Sequence, residues 1–179
     1  MVVLLALLLA LGVTHGYIGK TNLPYNDQQV YCGGYWFQSI TSASCIKIFT
    51  TGKSWQDARL TCQEEGGDLA KIRDKEMNFF VRSLVDTPPK NERYWIGLHR
   101  KPNSTKFVWL DEENVTKYTK WGKNEPSKDA EKNCVAIEQA YYEPWTTKKC
   151  SAKLNFACEK PLRDSKYSAL FYVVEQPYP

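Results

Sequence analysis

The spacing of hydrophobic residues predicts two amphipathic helices in the first half of the chain. The first begins after Ser54, a residue type that caps helices, and ends at Gly66, which readily adopts the left-handed conformation that stops a helix. Its apolar stripe consists of Trp55, Ala58 and Cys62. The second begins after Asp74 and ends near Val85, with a stripe of Met77, Phe80, Val81 and Leu84. The stripe of the second helix is interpreted as core rather than as ligand contacts.

Short segments with strand character lie mostly in the second half of the chain. They alternate hydrophobic and polar residues or form dense apolar runs, as half-buried and buried strands do. We predict strands at residues 45–49, 69–72, 94–98, 107–110 and 154–159, and a strand–turn–strand hairpin within residues 121–150. Early helices and later strands in one domain of ordinary size predict an α+β fold.

The composition divides the chain into four regions. The apolar run in residues 1–16 is shorter than the roughly 20 residues that span a membrane, and Thr14 and Gly16 fit a signal-peptidase site. We therefore expect a signal peptide and a secreted, extracellular protein, with a retained N-terminal anchor as the alternative. The predicted regions are the signal peptide at 1–16, an N-terminal arm at 17–31, a folded domain at 32–160 and a C-terminal tail at 161–179.

The cysteine content agrees with export. Six cysteines, an even number, would meet an oxidising compartment and are expected to form three disulfides, although their spacing alone leaves many connectivities open. A zinc site is not expected because no Cys-x-x-Cys pair exists and His99 is the only histidine after the predicted signal peptide. Two sequons, at Asn103 and Asn114, predict N-glycosylation in surface loops.

Charge and residue types exclude several function classes. The net charge of +4 is too small to indicate a nucleic-acid partner, but it permits anionic glycans or membrane surfaces. Much of this charge lies in residues 117–153, which contain eight lysines and five acidic residues. We do not expect an enzyme, because His99 has no convincing serine or cysteine partner for nucleophilic catalysis and nothing marks a carboxylate pair for glycoside hydrolysis.

A series of spaced motifs between residues 32 and 160 carries a family resemblance. They are the helix pattern from Trp55 to Ile72, the strand Trp95-Ile96-Gly97-Leu98, the dipeptide Glu125-Pro126, Trp145 and the final Cys158-Glu159. In this order they resemble the C-type lectin-like domain. The resemblance implies two helices flanking antiparallel sheets, with a long irregular ligand-binding loop. It also implies the disulfides Cys32–Cys45, Cys62–Cys158 and Cys134–Cys150.

The resemblance also bears on a metal site. In sugar-binding members of the family, a Glu-Pro-Asn motif, an acidic residue before the next cysteine and Asn-Asp after the tryptophan hold calcium, which the sugar hydroxyls help to coordinate. The corresponding residues here are Glu125, Pro126, Ser127, Lys132, Thr146 and Thr147. The loop after Leu98, where auxiliary calcium would bind, is basic. We therefore expect weak calcium binding or none, with Glu125 and Glu131 as the carboxylate ligands if calcium is retained.

The region from Trp121 to Cys150 is the expected ligand-binding surface. The candidate ligand-binding residues are Glu125, Ser127, Glu131, Lys132, Asn133, Tyr141, Tyr142, Thr146 and Thr147. The predicted function is glycan recognition with weak or no calcium dependence, as in innate defence, and the lysines favour anionic glycans. The alternative is calcium-independent binding of an extracellular protein, as in venom-type or receptor-type members of the family.

Overall fold

The computed structural model describes residues 32–39, 42–85, 92–111, 118–139 and 144–162. The predicted signal peptide, the N-terminal arm and residues 163–179 of the predicted tail lie outside the described residues. The elements are β1 (Phe37–Gln38), β2 (Ser44–Lys53), α1 (Trp55–Glu64), β3 (Asp68–Leu69), α2 (Lys75–Val85), β4 (Arg93–Arg100), β5 (Phe107–Trp109), β6 (Cys134–Glu138), β7 (Trp145–Lys148) and β8 (Leu154–Pro161). Neither helix of this part of the chain is long and apolar enough to cross a membrane.

The strands form one mixed sheet, with the predicted α+β class confirmed. Their order is β1-β2-β8-β4-β6-β7, with β3 paired to β8 and β5 paired to β4. The pair β4 and β8 is parallel and aligns Tyr94 with Asn155 and Trp95 with Phe156, whereas the other described pairs are antiparallel. The resemblance implied antiparallel sheets. The parallel pair joins strands that lie far apart in sequence, so no hairpin fixes their relative direction.

Both helices form where the hydrophobic spacing predicts them. Ser54 Oγ accepts the amide of Asp57 at 3.2 Å, and Asp74 Oδ1 accepts the amide of Met77 at 2.6 Å. Each cap thereby satisfies an amide that has no partner within its own helix. The stripe of α1 is fully buried, and the stripe of α2 is buried or half-buried against the sheet. The assignment of the second stripe to the core is confirmed, and the first stripe is core as well.

Strand β4 passes so close to the chain after β3 that glycine is required at position 97. The amide of Gly97 donates to the carbonyl of Ala70 at 2.8 Å, and its own carbonyl accepts the amide of Leu110 at 3.0 Å. A Cβ atom added to Gly97 would lie 2.7 Å from the carbonyl oxygen of Leu69. The glycine of the Trp-Ile-Gly-Leu strand is therefore needed for the close approach of two backbones.

The strand predicted at residues 69–72 is only two residues long, Asp68–Leu69. Beyond it, Ala70 donates its amide to the carbonyl of Ala157 at 2.8 Å, while its carbonyl accepts the amide of Gly97. The backbone of Ala70 thus links β8 to β4 instead of extending β3. An apolar run of this length cannot show from its pattern alone where pairing stops.

The structure contains the three disulfides that the resemblance implies. They are Cys32–Cys45, Cys62–Cys158 and Cys134–Cys150. The second joins α1 to β8 across a sequence separation of 96 residues. In the chain-entropy treatment a cross-link of that span stabilises the fold by about 4–5 kcal/mol. The third closes the β6–β7 hairpin at its open end, so both strands of the candidate binding region are covalently joined.

Substituting Gly97→Ala tests the close approach of β4 to the chain after β3. We expect the free energy of unfolding to fall by about 1–3 kcal/mol, because the new methyl group meets a backbone carbonyl that cannot rotate away. Urea denaturation followed by circular dichroism measures the change. Gly52→Ala is the matched control, because its nearest new contact is at 3.4 Å. Equal destabilisation by both substitutions would contradict the steric explanation.

Candidate functional site

Trp145, the first residue of β7, is the buried anchor of the candidate site. Its side chain is fully buried, and its Nε1–H donates to Asn78 Oδ1 of α2 at 3.0 Å. The rings of Trp109, Tyr118 and Trp121 approach it edge-on, with centroid distances of 5.7–5.8 Å. Such pairs contribute about 0.5–1.5 kcal/mol each beyond the area they bury. Trp145 is therefore a core residue beneath the site and not part of an exposed ligand surface.

The backbone of Trp145 also positions the chain that precedes the Glu-Pro dipeptide. Its amide donates to the carbonyl of Lys120 at 2.8 Å, and its carbonyl accepts the amide of Gly122 at 3.0 Å. A tight turn follows, in which the amide of Glu125 donates to Gly122 at 3.1 Å. Asn124 within this turn has a φ of 63°, a left-handed conformation that asparagine adopts more readily than most residues.

The carboxylate of Glu125 is held by the donors of β7 and of its own loop. The peptide bond between Glu125 and Pro126 is cis. Glu125 Oε2 accepts the amide of Ser127 at 2.9 Å, and it also accepts the amide and the hydroxyl of Thr147 at 3.1 and 2.5 Å. Three hydrogen bonds saturate this oxygen. We call Glu125, Ser127 and Thr147 the Glu-Pro cluster.

Arg100, the last residue of β4, joins the Glu-Pro cluster to the residue before β6. Its Nη2 donates to the carbonyl of Ser127 at 2.6 Å, and its Nε donates to Asn133 Oδ1 at 2.9 Å. The guanidinium carbon lies 4.7 Å from the centroid of the Phe107 ring, which is a cation–π distance. The planar fork of arginine suits two acceptors at once. A fixed positive charge therefore lies where two neutral oxygens of the loop converge.

Thr146 faces a different carboxylate from that bound by its neighbour Thr147. Its hydroxyl donates to Glu138 Oε1 at 3.0 Å, and the same oxygen lies 3.0 Å from Arg93 Nε and 2.9 Å from Lys148 Nζ. Burial raises the pKa of Glu138, but the hydrogen bonds from Lys148, Thr146 and Arg93 outweigh it and hold the pKa below its ordinary value. Consecutive residues of a strand point to opposite faces, which explains the separation of the two threonines.

Glu131 and Lys132 lie in the predicted loop but do not join the Glu-Pro cluster. Glu131 forms an ion pair with Lys149, and the ammonium of Lys132 lies 3.8 Å from Asp129 Oδ2. Glu131 is also largely exposed, with 67% of its side-chain surface accessible. The carboxylate that the sequence offered as a second calcium ligand is therefore paired with a lysine.

The remaining predicted positions are peripheral or outside the described residues. Tyr141, Tyr142 and the sequon residue Asn114 lie outside the described residues. Asn103 lies exposed in the β4–β5 turn with a φ of 55°. That placement agrees with the surface loop predicted from its sequon.

The oxygen atoms around the Glu-Pro cluster do not form a suitable ligand set for a calcium ion. Calcium takes roughly six to eight oxygen ligands with substantial negative charge. Glu125 Oε2 already accepts three hydrogen bonds, and the oxygens of Ser127 and Asn133 accept from the cationic Arg100. In the described ranges, no group of three or more His, Cys, Asp or Glu side chains could hold a metal ion. A guanidinium beside these oxygens would also repel a divalent cation.

Two residues that matter for the site were missed from sequence. Arg100 counted only as one of several basic residues after Leu98, and Asn78 was given no role. Asn78 lies three and seven residues before Val81 and Val85, which places all three on the same face of α2. A polar residue on a buried helix face indicates an internal hydrogen bond, so this role of Asn78 could have been predicted. No comparable sign marks Arg100, because its acceptors lie 27 and 33 residues further along the chain.

Comparison with known sequences identifies a family. The Lectin C-type domain profile matches residues 51–160 of the 179. C-type lectin lectoxin-Lio3 of Erythrolamprus poecilogyrus is 33% identical over 137 residues, which cover 74% of this chain and 83% of that protein. A snaclec of Echis carinatus, named as a coagulation factor IX/factor X-binding protein, is 30% identical over 124 residues, or 64% of this chain and 90% of that one. C-type mannose receptor 2 of Homo sapiens is 27% identical over 130 residues; these are 72% of this chain but only 9% of the receptor.

Solved structures share the same fold. The C-type lectin domain of murine dendritic cell inhibitory receptor 2, solved in complex with N-glycan, superposes with a TM-score of 0.65 and 25% identity, covering 73% of this chain and 99% of that one. A calcium-independent type II antifreeze protein superposes with a TM-score of 0.66 and 22% identity, covering 75% of this chain and 97% of that one. The second likeness concerns the fold alone.

Removing the guanidinium with Arg100→Ala should destabilise the loop that carries the Glu-Pro cluster. We expect the free energy of unfolding to fall by about 1–2 kcal/mol, because two oxygens lose a charged hydrogen-bond donor. Chemical denaturation measures the change. Lys101→Ala is the matched control, since truncating this exposed neighbour should alter stability by less than about 0.5 kcal/mol. A loss no larger than that of the control would show that Arg100 does not organise the loop.

The lowered pKa of Glu138 predicts a pH-dependent contribution to stability. A carboxyl whose pKa is lower in the folded state stabilises the fold above its unfolded pKa, and this contribution is lost as the pH falls through the folded value. Glu138→Gln should therefore reduce the free energy of unfolding at neutral pH, and the difference from wild type should shrink below about pH 4. Urea denaturation across this range measures it. Glu131→Gln alters an exposed pair, so its free energy of unfolding relative to wild type should change little with pH. If the loss of stability in Glu138→Gln were the same at every pH, the ionised carboxylate would not be its source.

Proposed function

The chain belongs to the C-type lectin domain family, and from that premise we propose that it binds carbohydrate through residues 121–150 with little or no dependence on calcium. The proposal assigns recognition to side chains around the Glu-Pro cluster and to the lysines of the same region. It assigns no catalytic step. The family consists in general of binding proteins without enzymatic activity.

The observation that carries the proposal is the Glu-Pro cluster itself, which is formed by the protein's own donors. Thr147 and Ser127 hold the carboxylate of Glu125, and the guanidinium of Arg100 donates to the carbonyl of Ser127. A loop that is ordered before the ligand arrives loses less conformational entropy on binding. The chain therefore offers a preformed surface in the region where calcium-binding members of the family bind sugar.

The proposed sugar contacts come from groups around the cluster, because Glu125 Oε2 is already saturated. Lys132 and Asn133 lie in the same loop and are partly accessible, so the ammonium of Lys132 and the remaining side-chain N–H of Asn133 can donate to sugar hydroxyls. Tyr141 and Tyr142 are proposed from sequence to stack on a sugar face. The N-glycan complex of the murine receptor domain, which is 25% identical to this chain, supports carbohydrate as the ligand class.

A glycan array tested in calcium and again in a chelator checks this proposal. We expect the same glycans to be bound in both conditions, with affinities that differ by less than about twofold, because no metal–ligand bond is lost. A calcium-dependent lectin on the same array confirms that chelation is complete. Mannose or galactose binding that disappears with the chelator would refute calcium independence.

The alternative function is recognition of an extracellular protein. One relative, 30% identical, is named for binding coagulation factors IX and X. In this chain Thr146 and Thr147 replace the Asn-Asp pair that sugar-binding members use, which also favours this alternative. Pull-down from extracellular fluid with the purified protein distinguishes the two. An array without signal combined with a tightly bound protein would favour the alternative.

We infer an extracellular location for either function. Three disulfides are characteristic of an oxidising compartment, and lectoxins and snaclecs are among the relatives of the chain. Residues 1–16 remain a predicted signal peptide, and N-glycosylation at Asn103 and Asn114 remains a prediction. Mass spectrometry of the exported protein would identify the mature N-terminus and the occupied sequons.

A further inference from the structure

A basic groove lies between the β4–β5 turn and the segment that precedes β6. It is open to solvent and has a volume of about 640 Å³. Three cations line it, Arg100, Lys101 and Lys128, together with polar residues of the turn, Asn103, Ser104 and Thr105. Among the described residues that line the groove, none is acidic. We call this surface the basic groove.

The charges of Lys101 and Lys128 are not neutralised by neighbouring acids. Both lysines are exposed, and within the described part of the chain neither takes part in an ion pair. The two acidic residues that follow Lys128 are engaged elsewhere: Asp129 faces Lys132, and Glu131 pairs with Lys149. The groove therefore has a positive potential that an anionic ligand can neutralise.

Arg100 adds charge to the groove from a fixed position. Its Nε and Nη2 are used by Asn133 and Ser127, so its guanidinium forms part of the wall. The lysines, by contrast, have long side chains that can each follow a separate anionic group. Several separated positive charges fit a chain with repeated anionic groups better than a single small anion.

We propose that the basic groove binds a sulfated segment of a glycan chain, beside the surface around the Glu-Pro cluster. This inference rests on the proposed carbohydrate-binding function and narrows its ligand class. A sulfate ester remains charged at physiological pH, and its oxygens accept hydrogen bonds from lysine ammonium groups and from the hydroxyls of Ser104 and Thr105. The groove volume lies within the range of roughly 300–1,000 Å³ found for small-ligand sites.

Binding of a heparin hexasaccharide tests the inference with the full chain produced in the bacterial periplasm, where disulfides form but Asn103 in the groove carries no N-glycan. The groove variant is Lys101→Ala combined with Lys128→Ala. The control variant is Lys75→Ala combined with Lys153→Ala, which removes the same charge from two exposed positions outside the groove. Isothermal titration at several salt concentrations gives the affinity and its salt dependence, and thermal unfolding verifies that both variants are folded.

We expect the groove variant to bind the hexasaccharide roughly five- to tenfold more weakly than wild type, the order of effect of two exposed ion pairs. Its affinity should also depend less steeply on salt, as fewer ionic contacts remain. The control variant should lose less than about twofold. A desulfated hexasaccharide should bind wild type weakly and should not distinguish the two variants.

Several outcomes would overturn the inference. Equal losses in the two variants, or double-stranded DNA bound as tightly as the hexasaccharide and with the same loss in the groove variant, would indicate a response to net charge alone. Neutral glycans bound on the array without any hexasaccharide binding would refute the groove but leave the proposed function intact. If no glycan of either kind is bound, the proposed function itself fails.

Discussion

The burial of one indole is the constraint on which the rest of the candidate site depends. Trp145 carries an N–H that needs a partner once it is removed from water, and Asn78 of α2 supplies it. The backbone of the same residue holds Lys120 and Gly122. A helix, a loop and a strand therefore meet at one side chain. The geometry of the Glu-Pro cluster derives from the core beneath it, because the segments on both sides of the cluster are fixed there.

A second constraint is the positive charge built into the loop. The oxygens of Ser127 and Asn133 converge on the guanidinium of Arg100. A metal ion can dissociate or be chelated, whereas a side chain is covalently attached, so the order of this loop is acquired on folding. These oxygens are consequently unavailable to a metal or a sugar. The proposed recognition therefore rests on exposed groups around the loop, among which Lys101 and Lys128 carry charges that no described acid neutralises.

Features that depend on local spacing were predictable from the sequence. The stripe of α1 and the caps at Ser54 and Asp74 follow from residues a few positions apart, and the structure has them where predicted. The requirement for Gly97 could be predicted only in part. The motif identifies a glycine, but the carbonyl that it approaches belongs to another segment of the chain. The disulfide pairs came from the resemblance to a family, since the spacing of six cysteines leaves their pairing open.

Sequence alone was sufficient for the helices and the α+β class, because hydrophobic periodicity carries that information, whereas the binding region at residues 121–150 stays a prediction. Only the tertiary structure showed that Thr146 and Thr147, adjacent in sequence, hold two different carboxylates, and that Glu131 is paired with Lys149. It also revealed the role of Arg100. These contacts join residues on separate strands and loops, so they depend on how the sheet brings distant segments together and not on any local pattern.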